Sequence, residues 1–172
     1  MKNFFYMAAI ACLALFTSCE KQGVDHTGDD TGKLYGRWVL DTKNVVTEYT
    51  SDGKTTTDSE DTNFANDHFF LLLAEPRVAM AKEGTLITFD IDDVDAGTFA
   101  YNSDLKQITF NKMLRLASGF PIRTMTLYGT YDVVELSNNL VLRKKEEVKL
   151  SDRFDASQTT TYSFHRLIEQ QQ

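Results

Sequence analysis

Leu34-Tyr35-Gly36-Arg37-Trp38-Val39-Leu40 decides how this chain reads. The stretch carries the only tryptophan, two residues after a glycine, at the head of the first long run with strand character. From Leu34 onward apolar and polar residues alternate with a period of two, the pattern of strands that bury one face. The first run covers residues 34–49. Ser51-Asp52-Gly53 then supplies turn chemistry, and a threonine-rich return over 54–57 completes a hairpin.

Residues 58–67 are acidic and polar, and 69–73 are continuously apolar. Between 63 and 81 the sequence permits either a helix or strands. Asn63 or Asn66 would cap a short helix ended by Pro76, and the absence of β-branched residues from 69 to 73 points the same way. Beyond Gly84 the alternation is clean. Ile87, Phe89 and Ile91 share one face, as do Phe99 and Tyr101, and then Ile108 and Phe110 after a turn at Asn102-Ser103-Asp104. Residues 111–121 are less regular, with Ser118-Gly119 and Pro121 as breakers of a longer loop. Met125, Leu127, Tyr131 and Val133 alternate again, Ser137-Asn138-Asn139 turns, and Leu140 and Leu142 open a return that ends in Arg143-Lys144-Lys145-Glu146-Glu147-Val148-Lys149. Mixed charge of this kind marks a strand that projects past the core with both faces wet. Residues 151–157 read as a turn or loop. The last run puts Tyr162, Phe164, Arg166 and Ile168 on one side.

Together these give about eight to ten short strands joined mostly by hairpins. The fold class is all-β, an antiparallel up-and-down meander that buries one face by sandwiching or by closing into a barrel. A chain of 172 residues is one domain's worth. Twelve phenylalanines, seven tyrosines and only two prolines exclude a disordered chain. The net charge of −7 repels phosphate backbones, which argues against nucleic acid as a partner.

The first eighteen residues stand apart. Lys2 gives a positive start, residues 4–16 are an apolar run shorter than the about 20 residues that span a bilayer, and Phe16-Thr17-Ser18-Cys19 follows. The run reads as a secretory signal. Its end resembles the lipobox of bacterial lipoproteins, in which the cysteine is acylated and becomes the mature N-terminus. That resemblance makes 1–18 the signal peptide, Cys19 the lipidation site and the membrane a partner through the lipid. With Cys12 discarded and Cys19 acylated, the mature body carries no thiol. Residues 19–33 are a polar, glycine-containing tether with no periodic apolar positions. Its early charges resemble export signals of surface lipoproteins in Bacteroidetes-type bacteria, or they belong to a spacer. The expected address is the cell envelope, at the outer membrane, on its periplasmic or surface face.

Over 34–172, the G-x-W order at Gly36 and Trp38, the meander and an arginine in the last strand resemble the lipocalin or calycin superfamily, in particular the lipocalin-like domains of Bacteroidetes lipoproteins. The resemblance implies that Trp38 closes one barrel end and that Arg166 packs across it. Such stacking is worth roughly 0.5–2 kcal/mol while leaving the guanidinium donors free. It also implies a lumen, and Phe89, Phe99, Tyr101, Phe110, Met125, Tyr131 and Phe164 are the candidates to line it. An eight-stranded barrel either fills its interior or holds one small ligand. Two functions therefore stand side by side: a carrier of a small apolar or amphipathic molecule, and a filled interaction or structural module for a protein or glycan.

Neither reading invokes catalysis or a cofactor. His26, His68 and His165 are scattered, and no G-x-S-x-G, P-loop or H-E-x-x-H pattern occurs. Asp90, Asp92, Asp93 and Asp95 lack the order of a calcium loop, because Val94 takes a ligand position and no terminal glutamate follows; they read as a solvated turn, with no metal. For the address, Cys19→Ser is expected to release the chain from the membrane fraction on cell fractionation. Unchanged retention would refute lipidation at Cys19.

Overall fold

The alternation that starts at Gly36 becomes a single antiparallel sheet rolled into a barrel. The computed structural model describes residues 30–82, 96–151 and 154–167. Among the described residues one helical turn, α1 (Thr31–Leu34), precedes nine strands: β1 (Gly36–Ser51), β2 (Lys54–Asn63), β3 (Phe69–Ala74), β4 (Arg77–Lys82), β5 (Ala96–Asn102), β6 (Gln107–Ser118), β7 (Arg123–Leu136), β8 (Asn139–Ser151) and β9 (Phe154–Arg166). Neighbours run in the order β2-β1-β3-β4-β5-β6-β7-β8-β9, and β1 also pairs with β9. Eight strands thus close a barrel, with β2 as an extra strand outside it.

The segment left open between helix and strand is a strand pair. Phe69 to Ala74 pairs with Lys82 to Arg77, and Glu75-Pro76 occupies the turn between them. Tertiary context overrides the weak local preference, because Leu71 and Leu73 sit opposite Trp38 and Gly36 and are fully buried. The loop expected over 111–121 is also strand. β6 continues to Ser118 through a shift of register between Phe110 and Leu114, leaving only 119–122 to turn. A bulge absorbs the irregular residues while Leu114 stays in the core. The stretch 151–157 likewise holds strand, since β9 already begins at Phe154. The expected strand over 85–91 lies outside the described residues.

The barrel is closed at the end where the chain enters. Trp38 is fully buried, and its indole N–H donates to the Leu34 carbonyl at 2.8 Å. The Arg166 guanidinium lies 4.4 Å from the indole centroid, and its Nη1 donates to the Tyr35 carbonyl at 3.1 Å while Nη2 bonds the Lys33 carbonyl. Gly36 has φ +133°, and a Cβ there would stand 3.2 Å from Arg166 Nη1. Only glycine suits both the dihedral and the approach.

Above this end sits one cluster of buried side chains in which Phe99, Phe110, Met125, Tyr131, Tyr162 and Phe164 join Trp38 and the surrounding leucines. Edge and tilted contacts link Phe110 to Tyr131, Tyr131 to Tyr162 and Tyr162 to Phe164 at centroid distances of 5.8, 6.3 and 6.3 Å. Beyond the cluster four strands keep going. β2, β1, β9 and β8 form a flange in which β1 pairs from Thr42 to Ser51 with both β2 and β9. Threonine, valine and cross-strand bonds such as Asn44 Nδ2 to Asp61 Oδ1 at 2.7 Å hold it, and β2 is exposed along almost its whole length, with no apolar layer behind it among the described residues.

Because the closed end depends on Trp38, Trp38→Ala is expected to cost about 3–5 kcal/mol in chemical denaturation. Gly36→Ala is expected to cost about 1–3 kcal/mol through the dihedral alone. A loss below about 1 kcal/mol for both would contradict this account of the end.

Candidate functional site

The other end of the barrel is built differently. β7 carries Gly129 at φ +76°, and β6 shifts register between Phe110 and Leu114, so both strands bend as they leave the core. The β6–β7 hairpin leans across the mouth and is pinned at two places. At its tip Arg123 reaches Asp67, in the turn between β2 and β3, through Nε to Oδ2 and Nη2 to Oδ1, both 2.8 Å. Lower down, the Tyr162 hydroxyl of β9 donates to the Thr126 carbonyl at 2.9 Å. The Tyr131 hydroxyl approaches the same carbonyl at 3.4 Å.

Asp67 is a buried charged side chain, 3 % exposed. Bidentate hydrogen bonds from Arg123 hold its carboxyl below the ordinary 3.8, against the opposing effect of burial. Tyr131 and Tyr162 are pushed the other way, above the ordinary tyrosine value, Tyr131 by burial and then by its neighbour Tyr162, and Tyr162 by burial. Both phenols stay neutral at any physiological pH.

Between hairpin and flange lies a notch of about 270 Å³. Tyr131 and Tyr162 form its floor, Met113, Thr126 and Tyr128 its hairpin side, and Lys43, Thr160, Lys144 and Glu146 its flange side. The flange residues arrive there by register: Lys43 pairs with Tyr162, and Lys144 with Thr160 one row on. The Lys144 ammonium meets Glu146 at 2.7 Å, donates to the Tyr128 carbonyl at 3.2 Å and stands 5.8 Å from the Tyr131 ring centroid. A second, shallow groove of about 420 Å³ lies on the flange, where Glu48, Glu147 and Asp155 face Lys145.

The sequence-derived candidates fall into three groups. Gly36, Trp38 and Arg166 meet at the closed end. Phe99, Phe110, Met125, Tyr131 and Phe164 lie in the buried cluster, and Tyr101 packs partly buried against it. Of these only Tyr131 also lines the notch, and none lines the flange groove. Cys19, Phe89 and the aspartates from Asp90 to Asp95 lie outside the described residues. His165 forms an exposed pair with Asp41, Nδ1 to Oδ1 2.8 Å.

Sequence reading missed Asp67, Arg123, Lys43, Met113 and Tyr128. Gly129 inside an otherwise regular strand was the one local signal, since such a glycine often marks a bulge. No protein-family model matches this chain, and neither a curated protein nor a solved structure matches it.

The clasp makes stability acid-sensitive. A carboxyl whose value is lowered by folding stabilises fully above about pH 5, and the contribution is lost as pH falls below 3.8 through the lowered value. Asp67→Asn is therefore expected to lower stability at neutral pH and to flatten its decline below about pH 4, read by thermal melts across pH. Parallel curves for the two proteins would remove Asp67 from that role.

Proposed function

We propose that this chain is a lipid-anchored protein of the cell envelope, acylated at Cys19 and retained at the outer membrane. Its lipocalin-like barrel is a filled, non-enzymatic module that binds a protein or glycan partner through the flange. The observation that carries this reading is the continuation of four strands past the core. Among the described side chains, residues 42–51 of β1 are at most half-buried and β2 is exposed along almost its whole length, so this extension adds little apolar burial.

A sheet that adds little burial has another use in what it displays. Among the described side chains the flange displays rows of hydroxyls and carboxylates, and among the described residues the outer edge of β2 has no strand partner. An unpaired edge adds an extended segment readily, while rows of threonine and acid suit hydroxyl-rich or basic partners. Phe99, Phe110, Tyr131 and Phe164, candidates to line a lumen, instead lie in one buried cluster, which favours the module over the carrier.

Photo-crosslinking in intact cells tests the reading. A crosslinkable residue at Thr57 or Ser157 on the flange is expected to give one common adduct, and the same residue at Thr130 on the barrel wall none. Equal adducts from wall and flange, or none from either, would overturn it.

A further inference from the structure

The notch between hairpin and flange points to a second binding site. We infer that it takes a small amphipathic anion, a carboxylate on a short aryl or alkyl body. The site lies over the buried cluster at Tyr131 and Tyr162, 4 % and 2 % exposed. Their hydroxyls are both turned to the Thr126 carbonyl, so the floor presents ring surface. Met113 and Tyr128 stand over it at 55 % and 50 % exposure, large apolar groups left half in water beside a concave space.

Charge gives the ligand its sign. Two ammonium groups and one carboxylate line the notch, in a chain of net charge −7. Glu146 is taken by Lys144. Lys43 has no ion-pair partner among the described residues, and its place beside Tyr162 puts it at the junction of ring floor and open water. An anion there gains a partly desolvated ion pair while its apolar body covers Met113, Tyr128 and the Tyr131 ring. A volume of about 270 Å³ lies just below the range of drug-sized sites, which limits the occupant to a compact acid and excludes a diacyl lipid.

The test uses the full chain with isotope-labelled methionine methyls and three probes: 3-phenylpropionate, the neutral 3-phenylpropanol and the cationic 3-phenylpropylamine. The Met113 methyl, assigned through Met113→Leu, is expected to shift saturably with the carboxylate, and at least about tenfold more tightly than with the alcohol or amine. Lys43→Met should bring the carboxylate down to the alcohol's affinity, and Lys43→Arg should retain the preference. The other methionine methyls report whether each variant is folded, and Lys43→Gln serves if Lys43→Met is not. No saturable shift up to about 10 mM, equal binding of acid and alcohol, or an unchanged preference in the folded Lys43 variants would each overturn the proposal.

Discussion

Everything in this molecule hangs on β1 pairing along both of its sides. An eight-stranded sheet can dispense with edges only if its first and last strands meet, and β1 meets β9 from Trp38↔Arg166 to Ser51↔Phe154. Its other side is shared, with β3 taking Gly36 to Val39 and β2 taking Thr42 to Ser51. The first pairing closes a core. The second carries the strand out beyond that core, and the shift between Leu40 and Thr42 marks where one role gives way to the other.

The two barrel ends solve opposite problems with the same kind of chemistry. At the entry end an arginine covers an aromatic ring and satisfies backbone carbonyls, so a cation seals an apolar end without needing a counter-charge. At the mouth an arginine satisfies a buried carboxylate, and the pair ties a bent hairpin to the opposite wall. A buried pair of this sort fixes geometry more than it adds stability, because desolvation offsets much of its Coulomb gain. What it secures is the placement of the hairpin, and with it the notch against the flange.

Most of the barrel was legible in the sequence because its strands obey the rule that a half-buried strand alternates. Ile108, Phe110, Tyr131, Tyr162 and Phe164 are buried on the face that their spacing indicates. Trp38 and Arg166 were legible as a pair through a resemblance, and their contact stands in the register Trp38↔Arg166. Residues 69–82 were not legible, since Phe69 to Leu73 shows no alternation and its conformation is decided by partners far off in sequence. The mouth was hidden for a related reason. Asp67 and Arg123 stand 56 residues apart, each an ordinary polar residue in its own segment. Lys43 and Met113 likewise become neighbours of one space only through a bulge and a bend, which periodicity does not encode.

The length of β1 has a mechanical consequence. Its 16 residues span about 50 Å at roughly 3.3 Å each, from the point where the chain enters the barrel to the tip of the flange. A pull between Gly36 of β1 and the start of β9 at the flange tip would therefore load the β1–β9 ladder in shear, parallel to the strands. The ladder joining β1 to β9 would have to slide as a unit rather than open one bond after another. A molecule drawn at its far tip and held at its near end would resist as a stiff strut.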